Sequence, residues 1–214
     1  MIDSNFIKNT TINLPNVSRE TLKELDDYGM SIILKNKDIN LISSSTEKSV
    51  NTRHILDSAQ TIEFIENIEI NTCTDLGSGA GLPGIVLSIL MKHKKPQFKV
   101  IFYEKSFHKS KFLIDMSKKF NLNTEVHQKN IFEEKNLSTD VIISRAFKPL
   151  PIILEIAEKN FKSFKFIILF LGKSGKKILN EAHEYWNFDC EEKKSLTNPD
   201  SMVIKITNLR KKNG

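Results

Sequence analysis

Glycine is concentrated in one short stretch that follows a predicted strand. Four of the chain's 8 glycines lie in the segment DLGSGAGLPG, residues 75–84. Glycine lets the backbone turn tightly and approach a ligand closely. In open α/β sheets, ligands bind beyond the carboxyl ends of the strands, where such a turn lies. An ordinary flexible loop is the alternative, and the clustering after a strand favours a ligand-binding turn.

The spacing within this turn bears on the class of ligand. Gly79, Gly81 and Gly84 fit the GxGxxG pattern of dinucleotide sites, but that pattern alone is weakly specific. Pro83 removes one of the backbone N–H groups that would hold a pyrophosphate at the helix start. The order Asp75-x-Gly77-x-Gly79-x-Gly81 instead resembles the first motif of S-adenosylmethionine-dependent methyltransferases, whose ligand carries no phosphate. The turn therefore favours S-adenosylmethionine, with an NAD-binding oxidoreductase as an alternative.

Three further polar residues could do chemistry near this turn. Glu104 follows the second predicted strand at roughly the 20-residue offset of an acid that binds ribose hydroxyls, or it is a solvated loop acid. Arg145 follows another strand, and it could bind the cofactor, hold a guanine O6 atom or pair with a structural acid. His54 lies on an apolar helical segment, where a histidine is usually a core or capping residue. The histidines form no HExxH or Cys/His cluster, so we expect no metal site.

Composition narrows the partners and the compartment. The 214 residues are 39% hydrophobic, which suffices for a buried core, and the net charge of +6 favours a polyanion such as ribosomal RNA. Cys73 and Cys190 form no CxxC pair, so neither a disulfide framework nor a zinc site is expected. No apolar run approaches the roughly 20 residues of a membrane span, and no signal peptide is evident. We expect a cytoplasmic protein that does not enter a membrane.

The order of elements predicts the frame that holds these residues. Residues 18–66 are predicted to be helical, with Ser18 as an N-terminal cap and a Ser-rich loop at Leu41–Glu47. Beyond them, strands and helices alternate, which predicts a mostly parallel sheet with helices on both faces, and a final pair of strands predicts an antiparallel edge. The predicted strands are 68–76, 98–103, 123–128, 141–144, 164–171, 186–193 and 202–206, and the predicted helices between them are 83–92, 106–120, 150–159 and 175–185.

Three segments in this order resemble one known family. They are RHILDS at residues 53–58, the glycine turn with the isoleucine that follows it, and ISRAF at residues 143–147. Together they are similar to the glucose-inhibited division protein B family of small-subunit ribosomal RNA methyltransferases, and the likeness runs from about Leu41 to Ile206. The resemblance implies a Rossmann-like class I methyltransferase core at residues 67–214, preceded by a helical extension at residues 1–66. It also implies methylation of a guanine at N7 in the 530 loop of 16S ribosomal RNA.

The resemblance also implies roles for individual residues. Arg145 matches an arginine of the cofactor site that faces the active centre, and His54 and Asp57 match the helix beside the pocket, so these three are the candidate catalytic residues. Asp57 is a candidate for stabilising the cationic methylated guanine. The expected S-adenosylmethionine contacts are Asp75, Gly77, Gly79, Gly81, Leu82, Glu104, Asn130, Ile131 and Arg145. We also expect Gly79→Val to block the cofactor pocket, because the turn would have no room for a side chain at that position.

Two features leave alternatives open. Lysines crowd the second predicted helix, and they form either a phosphate-binding face or an ordinary solvated face. The expected partner is 16S ribosomal RNA or the 30S subunit, and nothing in the sequence demands more than a monomer. A small-molecule methyltransferase and a noncatalytic nucleotide- or RNA-binding module are the competing functions.

Overall fold

A seven-stranded sheet forms the centre of the computed structural model, which describes residues 17–66 and 68–212. The strand order is β3-β2-β1-β5-β7-β9-β8. The first five of these strands pair in parallel, and β9 pairs antiparallel with both β7 and β8. The strands are β1 Thr72–Leu76, β2 Lys99–Tyr103, β3 Thr124–His127, β4 Leu137–Ser138, β5 Val141–Ser144, β6 Phe161–Ser163, β7 Phe166–Leu171, β8 Trp186–Lys194 and β9 Met202–Lys211.

Helices cover both faces of this sheet. They are α1 Arg19–Asn36, α2 Gly84–Met91, α3 Phe107–Lys119, α4 Leu150–Asn160 and α5 Gly175–Tyr185. One core cluster joins α1, α2 and α3 to one sheet face, and a second cluster joins α4 and α5 to the other. Successive strand residues point to opposite faces, so Phe102 enters the first cluster and Tyr103 the second. The predicted Rossmann-like α/β fold with an antiparallel edge is confirmed.

The segment between α1 and β1 is helical but irregular. It contains 3-10 turns at Ser44–Ser49 and Gln60–Phe64, a π-helical turn at Asn51–Leu56 and one α-helical turn at Asp57–Ala59. Ser18 caps α1 as predicted, since its hydroxyl accepts a hydrogen bond from the Thr21 N–H at 3.1 Å. The predicted loop at Leu41–Glu47 is wrong for its second half, because Ser43 O accepts from Thr46 and starts a 3-10 turn.

Two further details differ from the sequence prediction. The pair β4 and β6 forms a separate two-stranded parallel sheet that we did not predict, because two or three residues are too few to show an alternating pattern. Strand β9 continues past Ile206 to Lys211 through its pairing with β8. Among the described residues, no helix is both long enough and apolar enough to cross a membrane.

Helix α1 does more than cover the sheet, because it supports the glycine turn. Tyr28 is fully buried, and its hydroxyl donates to Ala80 O at 2.6 Å. Leu25 and Ile32 of the same helix pack in the core cluster of α2. Helix α1 therefore shares one core with the sheet domain and fixes the position of the turn that follows β1.

Candidate functional site

The glycine turn connects β1 to α2 with a backbone that needs glycine. Gly77, Gly79 and Gly81 all have positive φ angles, of 65°, 56° and 89°. Such angles are easy for glycine and strained for other residues. The direction in which successive strands are added to the sheet reverses between β1 and the adjacent β5. The turn therefore follows a strand at the switch point, where α/β sheets bind ligands.

The three glycines face different surroundings. A Cβ atom at Gly81 would lie 2.5 Å from Ile85 Cγ1, inside the core, and one at Gly77 would lie 2.0 Å from the Phe147 ring. At Gly79 the nearest atom to such a Cβ is Gly77 O at 3.8 Å. The expectation that the turn has no room at Gly79 is therefore wrong, because the position opens onto the pocket.

Asp75 lies beneath the turn rather than on the pocket wall. It is fully buried, and its Oδ2 accepts a hydrogen bond from the Gly84 N–H at 2.9 Å. This contact caps the first turn of α2, which follows Pro83. Burial raises the pKa of Asp75 to about 7, the Gly84 N–H opposes that shift, and the charge of Glu104 adds to it. Its Oδ1 has no partner among the described residues. In this structure Asp75 holds the turn in place.

Glu104 lies at the end of β2 with its carboxylate held by two backbone groups. Its Oε2 accepts from the Gly79 N–H at 2.9 Å, and its Oε1 accepts from the Ser106 N–H at 2.8 Å. Each carboxylate oxygen can accept a second hydrogen bond. The side chain is 8% exposed and lines the pocket. The structure therefore brings Glu104 to the edge of the glycine turn in an orientation suited to accepting hydrogen bonds from hydroxyl groups.

Asn130 and Ile131 form the pocket wall that follows β3. Asn130 starts a 3-10 turn at Ile131–Glu133, and its Nδ2 donates to Glu133 Oε1 at 2.8 Å. Ile131 is 3% exposed, and its carbonyl accepts from buried Asn160 at 2.7 Å. The wall thus presents an apolar side chain and backbone groups, which suits an aromatic ring system.

Arg145 follows β5 and is held by three partners. Its Nη2 lies 3.1 Å from Asp57 Oδ2 and donates to Arg53 O at 2.8 Å, and its Nη1 lies 3.3 Å from His54 Nδ1. Burial lowers its pKa, an effect that the Asp57 charge opposes. These contacts leave the Nε–H and one Nη1–H without a partner among the described residues. Arg145 lines the pocket, so a fixed positive charge faces it.

His54 is neutral in this arrangement. Burial, together with the adjacent Arg145 charge, lowers the pKa of His54 to about 4. Because the Arg145 guanidinium only donates, His54 Nδ1 must accept from it. The proton is therefore on Nε2, which donates to Thr46 Oγ1 at 2.8 Å. His54 reaches the pocket wall, yet its hydrogen bonds serve to orient Arg145.

Asp57 lies behind Arg145 and does not line the pocket. Its Oδ1 accepts from Gln60 Nε2 at 2.8 Å, Ser195 Oγ at 2.9 Å and Thr197 Oγ1 at 2.8 Å. Sequence reasoning missed Ser195 and Thr197, which lie on the loop between β8 and β9. No local pattern links them to Asp57, because 138 and 140 residues separate the pairs. The carboxylate that we considered for the guanine is thus committed to Arg145 and this loop.

The candidate site is a single pocket at the carboxyl ends of β1, β2, β3 and β5. Its volume is about 540 Å³. Eight predicted residues line it, whereas Asp57, Asp75 and Gly81 lie behind its walls. The eight are His54, Gly77, Gly79, Leu82, Glu104, Asn130, Ile131 and Arg145. Residues that we had not proposed as ligands also line it, among them Tyr103, Phe132, Phe147 and Lys148. Phe147 is the last residue of the ISRAF segment, which carries part of the family resemblance.

The lysines of the second predicted helix divide between two regions. Lys105 and Lys109 line the pocket, so part of the cluster faces the site. Lys119 instead donates to Ser31 Oγ at 2.8 Å, away from the pocket. Among the residues that the structure describes, no group of three or more His, Cys, Asp or Glu side chains is arranged to hold a metal ion.

Comparison with solved structures defines the class of protein. An S-adenosylmethionine-dependent methyltransferase from Aquifex aeolicus superposes with a TM-score of 0.55 at 16% identity, covering 77% of this chain and 98% of that one. The 16S rRNA methylase RmtB superposes with a TM-score of 0.53 at 10% identity, covering 94% and 79%. The fold is that of the Rossmann-like S-adenosylmethionine-dependent methyltransferases.

Sequence comparison defines the family. The family model described as rRNA small subunit methyltransferase G matches residues 21–203. Ribosomal RNA small subunit methyltransferase G of Pelagibacter ubique is 50% identical over 200 residues, which cover 92% of this chain and 93% of the relative. The protein of the same name from Rickettsia felis is 35% identical over 195 residues, covering 91% and 97%. The chain belongs to the rRNA small subunit methyltransferase G family, which confirms the resemblance found in the sequence.

Proposed function

We propose that the protein transfers the methyl group of S-adenosylmethionine to N7 of a guanine in the 530 loop of 16S ribosomal RNA. The observation that carries the proposal is the pocket itself. In a chain of this family, the glycine turn, the Glu104 carboxylate and the fixed Arg145 guanidinium meet at one edge of the sheet.

The residues of the pocket fit the proposed cofactor. A volume of about 540 Å³ lies within the roughly 300–1,000 Å³ of small-molecule sites. Glu104 can accept hydrogen bonds from the two ribose hydroxyls, and the Ile131 side chain can pack on the adenine. At Gly79 the turn leaves space for the methionine part to approach the backbone, whereas at Gly77 the Phe147 ring fills the space beside the turn.

The chemistry asks for position rather than for a general base. The bound cofactor supplies an electrophilic methyl group on a sulfonium. As the guanine N7 lone pair forms the new C–N bond, the C–S bond breaks and its electron pair stays on sulfur. N7 carries no proton, so none has to be removed, and the positive charge passes to the guanine ring. Fixed geometry and electrostatics are therefore the protein's contribution.

Arg145 is proposed to hold the acceptor. Its Nε–H or its remaining Nη1–H, neither of which has a partner among the described residues, can donate to guanine O6, which arginine commonly recognises. Asp57 and His54 fix the plane of the guanidinium from behind, and Asp57 balances part of its charge. Both residues therefore act through Arg145 and are positioning residues in this proposal.

The proposed partner is the 30S subunit or its 16S RNA, with the enzyme acting as a cytoplasmic monomer. Support for an RNA partner comes from the net charge of +6 and from the lysines that line the pocket at positions 105, 109, 129 and 148. Such cations favour phosphate groups.

The test uses labelled S-adenosylmethionine with 30S subunits that lack the 530-loop methyl group, and with transfer RNA as the control. The proposal expects label only in 16S RNA, recovered as 7-methylguanosine after digestion. Label in another nucleoside would refute N7 as the acceptor. Cofactor binding without transfer to either RNA would instead favour a small-molecule methyltransferase, and binding of neither cofactor nor RNA would refute both.

A further inference from the structure

Two phenylalanines lie at the mouth of the pocket. Phe132 follows β3 and is 44% exposed. Phe147 follows β5 and is half-buried. Their ring centroids are 6.3 Å apart with an interplanar angle of 44°, and both residues line the pocket.

The position of these rings relative to the glycine turn is closely defined. The Phe147 ring packs on Gly77, where a Cβ atom would lie 2.0 Å from it. Phe132 directly follows Ile131, the residue proposed to contact the adenine. The two rings therefore border the proposed cofactor site on the side that opens to solvent.

Positive charge lies beside the two rings and elsewhere along the pocket. Lys148 Nζ lies 5.8 Å from the Phe132 ring centroid and 5.9 Å from the Phe147 ring centroid. Lys148 is exposed and forms no ion pair within the described part of the chain. Lys105 and Lys109 line the same pocket, and Lys129 there pairs with Glu134 at 3.2 Å. Exposed π faces beside unpaired cations suit a ligand that has flat rings and phosphates.

We propose that Phe132 and Phe147 form a stacking platform for the target guanine and that Lys148 binds a phosphate flanking that nucleotide. This inference rests on the proposed function and names the surface that receives its substrate. Sequence-specific proteins bind unpaired RNA bases by stacking them on aromatic side chains. Such stacking tolerates any base, so the platform positions the nucleotide, while Arg145 reads guanine O6.

The test compares Phe132 variants on unmodified 30S subunits, with S-adenosylhomocysteine affinity measured in parallel by calorimetry. Phe132→Leu should lower kcat/KM for the subunit between about fivefold and about 150-fold, the range expected for one stacked base. Because Phe132 is exposed, the variant should keep its fold and its cofactor affinity. Phe132→Trp should keep most of the activity, since it restores a flat ring. Tyr185→Leu is the matched control, because Tyr185 is 66% exposed and does not line the pocket.

Lys148→Gln tests the phosphate contact separately. It should weaken binding of the subunit and reduce the slope of log affinity against log salt by about 1. Wild-type kcat/KM in Phe132→Leu, or an unchanged salt slope in Lys148→Gln, would overturn the platform while leaving the proposed function intact. A wild-type protein that binds cofactor and never methylates the subunit would overturn the proposed function and the platform with it.

Discussion

The close contact between the Phe147 ring and Gly77 predicts how much stability the protein loses when Gly77 or Gly79 of the turn gains a side chain. An alanine at either Gly77 or Gly79 must adopt a positive φ angle, which costs about 1–2 kcal/mol. At Gly79 the new methyl group meets nothing nearer than 3.8 Å, so Gly79→Ala should lose only that amount of stability. At Gly77 the methyl overlaps the Phe147 ring, and overpacking of this kind costs about 1–3 kcal/mol more.

A double-mutant cycle isolates the overlap from the backbone strain. Gly77→Ala should destabilise the protein by about 2–5 kcal/mol in total. Once Phe147→Ala has removed the ring, the same change should cost only about 1–2 kcal/mol. The coupling free energy between the two sites is therefore expected at about 1–3 kcal/mol. Gly79→Ala combined with Phe147→Ala is the control pair and should be additive.

The assay is urea unfolding followed by fluorescence or circular dichroism, analysed as a two-state transition. Additive costs at Gly77 and Phe147, within the roughly 0.5 kcal/mol typical of independent sites, would refute the close packing of the ring on the turn. Equal costs for Gly77→Ala and Gly79→Ala would refute it as well.

The remaining predictions concern the charged groups. Arg145→Lys should lower kcat for methyl transfer more than tenfold, because a charge-assisted hydrogen bond is worth about 1.5–3 kcal/mol. The control is Arg53→Lys, which keeps the backbone carbonyl that Arg145 contacts and should leave kcat unchanged. Full activity of Arg145→Lys would show that the arginine is structural. The pKa of His54 is about 4 instead of 6.5, so the unfolded chain binds more protons between these values and stability should rise as pH increases from about 4 to 6.5. His54→Gln should flatten that rise in urea midpoints, and an unchanged profile would contradict the neutral histidine. For Asp75 the dependence of stability on pH has the opposite sign. Its pKa is raised from 3.8 to about 7, so the folded chain binds more protons than the unfolded chain between these values. The free energy of unfolding should therefore fall as pH increases through that window. Asp75→Asn should therefore gain stability over wild type as pH rises to about 8, and a loss there would contradict the account.

The sequence predicted the elements that carry a strong local signal. Strand β5 at Val141–Ser144 and helix α5 at Gly175–Tyr185 have the predicted bounds, because apolar runs and turn residues delimit both. The segment from Asn51 to Phe64 was predicted as helical, but its mixed π, α and 3-10 turns were not. Within this segment Asp57 and His54 meet Arg145, about 90 residues further along the chain, and such long-range contacts leave no local pattern.

The candidate site shows the same division. The glycine turn, Glu104 and Arg145 could be named in advance, because each directly follows a strand whose end forms the pocket edge. The separate surroundings of Gly77, Gly79 and Gly81 could not, since identical residues in one motif meet a ring, the open pocket and the core. Ser195 and Thr197 reach Asp57 only because β8 and β9 form the antiparallel edge of the sheet and carry the loop between them to that side chain. The proximity of the Phe132 and Phe147 rings, whose centroids lie 6.3 Å apart, could be seen only in the structure.

Replacing the acceptor atom distinguishes methyl transfer to N7 from transfer to any other atom of the nucleotide. Small subunits are reconstituted with a single 7-deazaguanosine at the proposed methylation position in the 530 loop, and matched subunits carry ordinary guanosine there. The change removes the N7 lone pair and retains O6 and the sugar-phosphate backbone. Labelled methyl from S-adenosylmethionine should enter the subunit with ordinary guanosine and not the substituted one. Equal labelling of both subunits would contradict transfer to N7.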